Sequence, residues 1–180
     1  MHIVVVMGEL DILKEYVQNS ELINGNLRNG IDIPEIKFLD GLLVEGEVPR
    51  YLYRLLDNKD VKITDKNSIL DAGYLSCSSR FDDFIDNTGN VKHMACYRIE
   101  EASPISRIIV KELLPDQNDE GEIILPRYLL LQIVDNIDYN GVDGLERLLE
   151  EVECDSTGPK ELFYAMGIET ITLYRLRVVR

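Results

Sequence analysis

The feature that most constrains the fold is a change of hydrophobic periodicity between the first forty-odd residues and the rest of the chain. Leu10, Leu13 and Val17 recur at helical spacing, and Pro34 opens a second stretch in which apolar residues share one helical face. From Tyr51 onward the pattern shortens to the spacing of β-strands. Because helices come first and strands follow without regular βαβ alternation, the sequence predicts an α+β protein.

Eight later segments have the apolar, β-branched and aromatic composition that is typical of strands. Two helices are predicted before the last of these strands. The first starts at a capping box of Asp143 and Glu146 and carries an apolar stripe that ends at Val152. The second begins at Pro159 and ends at Gly167. The predicted strands are 51–55, 61–64, 73–78, 91–99, 107–110, 121–125, 129–134 and 170–178.

The balance of charges limits the partners that the chain can bind. Its 180 residues include 33 Asp+Glu against 19 Lys+Arg, a formal net charge of −14. Binding of nucleic acid needs a basic face that displaces counterions, so no nucleic acid is expected as a direct partner. With 45% hydrophobic and 29% charged residues, the chain can build one core. We expect a single domain over 1–180, with a helical lead-in over 1–47 and a β-rich core over 48–180.

The cysteines and histidines do not form a metal-binding pattern. Cys77, Cys96 and Cys154 lie far apart without a CxxC pair, and the two histidines lack metal-ligand spacing, so no metal site is predicted. An odd number of cysteines without a disulfide framework is typical of a reducing compartment. The apolar run over 3–7 is too short for a signal peptide or a membrane span. We therefore expect a cytoplasmic protein that has no membrane partner.

The segment 119–126 places two carboxylates at the start of an apolar strand. Glu120 and Glu122 are two residues apart, so both side chains project from the same face of the strand and can reach one pocket. Carboxylates held close together disfavour each other's ionised forms, which lets one stabilise charge while the other accepts a proton. An isolated pair of this kind is also common at the solvated start of a strand, without any catalytic role.

Two further segments carry polar residues inside apolar strands. In 71–79 the strand turns abruptly into small hydroxyl residues, and either Ser78 or Ser79 is placed to cap a following short helix. Ser76 lies earlier, where a buried hydroxyl needs a partner and can hold a neighbouring side chain in place. In 51–55, Arg54 either reaches solvent at a sheet edge or is a buried guanidinium that binds an anion, of which phosphate fits best.

In chain order, Arg54, Ser76 and the pair Glu120 and Glu122 resemble the arginine, serine and glutamate signature of arginine-specific mono-ADP-ribosyltransferases. The resemblance implies a core of two packed, mostly antiparallel sheets, with N-terminal helices and one or two helices before the last strand. It also implies a toxin or effector of phage or bacterial type. The matching segments are 52–54 for the aromatic-arginine strand, 73–78 for the Ser-Thr-Ser strand, 120–126 for the Glu-x-Glu strand, and 22–28 with 36–43 for the helical lead-in of the toxin branch.

The resemblance assigns NAD as the co-substrate and a protein arginine as the acceptor of ADP-ribose. Glu122 would stabilise the positive charge that develops at the ribose as nicotinamide leaves, and Ser76 would orient Glu122. Arg54 would bind the diphosphate. Glu120 would attract the arginine and help remove its proton, because a glutamate at this position of the family accompanies arginine modification.

Three more residues complete the expected NAD-binding set, and two alternative functions stay open. Tyr53 and Ser78 flank the arginine and serine positions, and Phe84 either packs on a ring of NAD or belongs to the core. One alternative is an NAD glycohydrolase, in which water replaces the arginine. The other is a noncatalytic binding module that keeps the same fold.

Overall fold

The chain folds into N-terminal helices followed by a β-rich body, as its periodicity predicted. The structure is a computed structural model, and it describes residues 8–81, 83, 91–116, 121–154 and 157–180. The helices are α1 (Glu9–Gln18), α2 (Ser20–Arg28), α3 (Glu35–Leu42), α4 (Val110–Leu113), α5 (Gly141–Glu151) and α6 (Thr157–Met166), with a 3-10 turn at Asn58–Asp60. The strands are β1 (Val44–Gly46), β2 (Tyr51–Asp57), β3 (Ser68–Leu70), β4 (Leu75–Cys77), β5 (His93–Glu100), β6 (Ile105–Ile109), β7 (Ile123–Leu125), β8 (Leu130–Asn140) and β9 (Thr170–Val178).

Two sheets form the body of the protein. The four-stranded sheet has the order β1-β6-β7-β4, and the five-stranded sheet has the order β2-β5-β9-β8-β3. Every pairing among these strands is antiparallel except that of β5 with β9. The structure thus confirms the predicted α+β core of two mostly antiparallel sheets, with α5 and α6 before the last strand.

The elements are stacked in four layers that enclose three apolar clusters. The first cluster lies between the N-terminal helices and the four-stranded sheet, where Tyr16 and Leu39 meet Ile124. The second lies between the two sheets, and the third lies between the five-stranded sheet and the helices α5 and α6. None of the described helices combines the length and the apolarity that crossing a bilayer requires.

The apolar residues whose spacing predicted α1 coincide only in part with its buried face. Ile12, Leu13 and Tyr16 are buried, whereas Leu10 is exposed and Val17 is only half-buried. Both sets of residues satisfy helical spacing, and packing against the other helices and the sheet decides between them. The predicted helix is confirmed, but Leu13 alone of the three spaced residues is fully buried, and the spacing did not reveal Tyr16.

The predicted start of α5 was also wrong, although the end of α6 was confirmed. Asn140 precedes α5, which begins at Gly141, so Asp143 lies inside the first turn and caps nothing. Its negative charge is still favourable there, because the N-terminus of a helix is the positive end of its dipole. Gly167 follows α6 with a positive φ of 70°, which is the left-handed conformation that a helix-terminating glycine provides.

The predicted strands differ from the observed strands in several places. The segment 61–64 makes a single isolated bridge, between Ile63 and Ile69, and is not a strand. The three-residue strands β1 and β3 were not predicted, since so short a strand exists only through its pairing partner. Strand β8 continues to Asn140, beyond the predicted end at 134, through a polar stretch that is mostly exposed.

Candidate functional site

The two sheets are joined by hydrogen bonds at the point where β2 passes the end of β4. The backbone N–H of Tyr53 donates to the carbonyl oxygen of Ser78 at 2.7 Å, and the N–H of Ser78 donates to the carbonyl of Tyr53 at 3.0 Å. The neighbouring Arg54 then donates from Nη1 to the carbonyl oxygen of Ser76 at 3.0 Å. Two of the sequence-predicted residues, 22 positions apart in the chain, are thus in direct contact.

Glu122 lies on the same face of the four-stranded sheet as Ser76. In the pairing of β4 with β7, Ser76 is opposite Ile124. Side chains alternate along a strand, so Glu122, two residues before Ile124, projects to the side of Ser76. Such diagonal neighbours are about 7–8 Å apart, which a glutamate side chain can span. Glu122 is only 8% exposed, so its carboxylate is largely shielded from solvent.

Arg54, Ser76 and Glu122 line one cleft beside this junction. The cleft has a volume of about 970 Å³, at the upper end of the range of roughly 300–1,000 Å³ for small-molecule sites. Helices α1 and α2 form one wall, and β2 with the 3-10 turn forms another. Its other lining residues are Val17, Ser20, Glu21, Arg28, Leu55, Leu56, Asp57, Lys59, Asp60, Lys62, Ile69, Leu70, Asp71, Ala72, Val91 and Tyr97.

The guanidinium of Arg54 has capacity left for an anion. Its Nη1 binds the carbonyl of Ser76, whereas its Nε is buried and has no hydrogen-bond partner among the described residues. A buried donor without a partner costs free energy, and an anionic ligand at this point would remove that cost. A phosphate can bind the guanidinium through two parallel hydrogen bonds.

Arg28, which the sequence-based list of site residues missed, is a second cation of the cleft. It lies at the end of α2 and donates from Nε and Nη2 to the two carboxylate oxygens of Asp71, both at 3.1 Å, and from Nη1 to Glu21. Desolvation lowers the pKa of Arg28, but pairing with Asp71 outweighs it, so the net shift is upward and the charge is retained. The available signal was the basic residue that closes the segment 22–28, a segment interpreted only as part of the helical lead-in.

Tyr16, also missed, connects the helices to Ser76. The phenol oxygen of Tyr16 lies 2.9 Å from the hydroxyl of Ser76, and Asn24 donates from Nδ2 to the same phenol at 3.1 Å. Burial raises the pKa of Tyr16, so the phenol is protonated at neutral pH. Correct placement of the buried face of α1 would have revealed this residue.

Tyr53 and Ser78 lie beside the cleft rather than among its lining residues. Tyr53 is buried in the cluster under α5 and α6, where its ring packs edge-on against Phe81 with a centroid distance of 6.3 Å. Burial raises the pKa of Tyr53 to about 12. The hydroxyl of Ser78 donates to Asp83 and accepts from the backbone N–H of Arg80 at 3.2 Å, which holds the chain after β4.

The remaining sequence-predicted residues, Phe84 and Glu120, lie outside the described residues. Within the described ranges, no group of three or more His, Cys, Asp or Glu side chains is arranged to hold a metal ion. Cys77 and Cys96 are buried free thiols. Of the sequence-predicted residues, the described part of the cleft therefore contains the guanidinium of Arg54, the hydroxyl of Ser76 and the shielded carboxylate of Glu122.

No family model and no curated protein matches this sequence, whereas solved structures share its fold. Plx2a, an ADP-ribosyltransferase toxin from Paenibacillus larvae, is 16% identical with a TM-score of 0.61, covering 96% of this chain and 86% of the toxin. The Salmonella SpvB ATR domain is 16% identical with a TM-score of 0.60, covering 96% of this chain and 98% of that domain. The C. perfringens toxin BECa, solved with NADH, is 12% identical with a TM-score of 0.61, covering 98% of this chain and 44% of BECa. The chain therefore has the fold of ADP-ribosyltransferase structures, as the sequence resemblance implied.

Proposed function

We propose that this chain is an enzyme that transfers ADP-ribose from NAD to an arginine side chain of a protein and releases nicotinamide. The observation that carries the proposal is the convergence of Arg54, Ser76 and Glu122 on one cleft. These residues come from three separate strand regions, and the order of arginine, serine and glutamate is that of the resembled family. A fold shared with ADP-ribosyltransferase toxins supports the same reading.

The donor set of the cleft fits NAD. The diphosphate needs cationic donors, and Arg54 offers a buried Nε without a described partner while Arg28 lies across the same cleft. Charge-assisted hydrogen bonds of this type contribute about 1.5–3 kcal/mol each. BECa, one of the proteins with this fold, was solved with NADH. We therefore assign the diphosphate to Arg54, with Arg28 as a second cation.

Glu122 and Ser76 would act on the ribose end of the co-substrate. When the bond between the ribose and nicotinamide breaks, positive charge develops on the ribose, and a nearby carboxylate stabilises that charge. The shielding of Glu122 from solvent strengthens this effect, because charges interact more strongly in a medium of low dielectric constant. Ser76 orients Glu122, so that little reorganisation is needed during the reaction.

Glu120 would act on the acceptor. A protein arginine is almost always protonated, so a carboxylate must attract the guanidinium and take a proton as its nitrogen bonds to the ribose carbon that nicotinamide leaves. We assign this role to Glu120 from its position two residues before Glu122. Besides Glu122, four acidic residues line the cleft. Together with the net charge of −14, they favour a basic protein surface as the partner. The other four acids are Glu21, Asp57, Asp60 and Asp71.

We also place this reaction in a cytoplasm, in line with an effector or toxin of phage or bacterial type. Cys77 and Cys96 are buried free thiols, which suits a reducing compartment.

The test is to follow ADP-ribose from labelled NAD in a bacterial or host lysate, with the variant Glu122→Gln as the blank. Mass spectrometry of tryptic peptides then locates the label. Transfer to arginine that requires the wild-type chain would support the proposal. Label on another residue type would contradict the arginine assignment alone. Free ADP-ribose without protein label would indicate a glycohydrolase, and no consumption of NAD above the blank would indicate a noncatalytic module.

A further inference from the structure

Ser76 is held from two sides, and only one of the two contacts belongs to the roles assigned above. Arg54 binds the carbonyl oxygen of Ser76, whereas Tyr16 contacts its hydroxyl at 2.9 Å. Tyr16 does not line the cleft and is 0% exposed, so it cannot touch NAD directly. A phenylalanine would fill the same space as Tyr16. Packing therefore accounts for the ring of Tyr16 but not for its hydroxyl, which contacts Ser76.

The orientation of Asn24 beside Tyr16 is fixed by its other contacts. Its Oδ1 accepts from the backbone N–H of Tyr74 at 2.8 Å, so Nδ2 is the atom that donates to the phenol of Tyr16 and to the carbonyl of Tyr74. Asn24 is 2% exposed. A Cβ on Gly73 would lie 2.7 Å from Oδ1 of Asn24, so the absence of a side chain at Gly73 allows the amide to approach the backbone just before β4.

These contacts settle the direction of the hydrogen bond between Tyr16 and Ser76. The phenol oxygen already accepts from Asn24, and the described structure offers the phenolic proton one acceptor, the hydroxyl oxygen of Ser76. A buried hydroxyl donor needs such a partner. Ser76 therefore accepts from Tyr16, and its own proton is free to point into the cleft, toward the face that carries Glu122.

We propose that Tyr16 is a positioning residue that, held by Asn24, donates to Ser76 and thereby directs the Ser76 proton to the carboxylate of Glu122. The proposal rests on the function proposed above, and it adds a chain of hydrogen bonds that runs from α2 through α1 to the cleft. Burial keeps the phenol in the protonated, donating form. Each hydrogen bond in this series therefore has a fixed donor. Asn24 donates to Tyr16, Tyr16 donates to Ser76, and Ser76 donates to Glu122.

The test compares Tyr16→Phe with Tyr74→Phe in the cleavage of NAD. Tyr74 is a matched control, because it is also fully buried, its ring packs edge-on against that of Tyr16 at 5.9 Å, and its hydroxyl bonds Asp40 at 2.6 Å instead of Ser76. We expect similar melting temperatures for the two variants. Tyr16→Phe should lower kcat about five- to tenfold with KM for NAD within about twofold, the size of one lost hydrogen bond, while Tyr74→Phe keeps both constants.

A second measurement uses Ser76→Ala as the background. If Tyr16 acts through Ser76, then Tyr16→Phe causes no further loss of kcat once Ser76 is alanine, because coupled residues are not additive. A kcat of Tyr16→Phe equal to that of Tyr74→Phe would overturn the positioning role, and so would an undiminished loss in the Ser76→Ala background. Cleavage of NAD by the wild type no faster than by Glu122→Gln would instead overturn the proposed function, and the positioning role with it.

Discussion

Replacement of Arg54 by lysine tests whether the guanidinium fork, and not only its charge, binds the co-substrate. In the structure Nη1 is occupied by the carbonyl of Ser76 at 3.0 Å, and the buried Nε has no described partner. A guanidinium can therefore serve Ser76 and an anion at the same time. The single ammonium of lysine is a point charge and cannot reproduce this geometry, although the formal charge is unchanged.

The expected loss follows from the number of hydrogen bonds. A bidentate contact with phosphate uses two donors of Arg54, each contributing about 1.5–3 kcal/mol. If the ammonium keeps one of these contacts, the net loss is one charge-assisted hydrogen bond. Since about 1.4 kcal/mol corresponds to a tenfold change in affinity, NAD should bind to Arg54→Lys roughly tenfold to a hundredfold more weakly.

Titration calorimetry with NAD measures this loss, and Arg127→Lys is the control. Arg127 forms an ion pair with Asp40 at 3.1 Å and is not among the residues that line the cleft. Its replacement should weaken a surface pair and leave the affinity for NAD unchanged. If Arg54→Lys were folded and bound NAD as tightly as the wild type does, the reasoning about the free Nε would be refuted.

Two further predictions concern the framework of the site. In urea denaturation, Gly73→Ala should lower the free energy of unfolding by about 1–3 kcal/mol, because the added Cβ clashes with Asn24. The control Gly41→Ala, whose Cβ has its nearest contact at 3.6 Å, should be neutral or stabilising. Equal effects of the two substitutions would contradict the close approach of Asn24 to Gly73. Burial raises the pKa of Glu100, but the hydrogen bonds from Arg175 lower it by a larger amount, so the net shift is downward. The stabilisation by Glu100 is then complete above its unfolded pKa of about 4.3 and is lost as the pH falls through the folded pKa. Glu100→Gln should therefore weaken the decrease of the free energy of unfolding at acid pH. An unchanged decrease would contradict the pairing of Glu100 with Arg175.

The sequence was most informative where a pattern depends on neighbouring residues. The helical stretch after Pro34, the glycine that ends α6 and the strand around Arg54 follow from local spacing and turn chemistry, and the structure confirms them. The order of arginine, serine and glutamate implied that these residues act at one site. Arg54 and Ser76 are indeed in contact.

The sequence was least informative where tertiary contacts decide. Strand β8 continues beyond Val134 through polar residues, because its partner β3 begins only at Ser68, opposite Gln132, and leaves the later part of that edge exposed. A strand exposed in this way lacks the apolar alternation by which strands are recognised. Tyr16 and Arg28 were missed for a similar reason, since their importance comes from contacts with residues 43 and 60 positions away.

The most direct test of the account is the cleavage of NAD by the wild type, Glu122→Gln and Glu112→Gln, followed by chromatography of released nicotinamide. Glu112 lies exposed on α4 and provides the matched loss of one carboxylate. Removal of a preorganised electrostatic group from an active site slows catalysis by about a hundredfold or more. We expect such a loss for Glu122→Gln and wild-type rates for Glu112→Gln. Nicotinamide release by a folded Glu122→Gln at the wild-type rate would contradict the assignment of this cleft as the catalytic site.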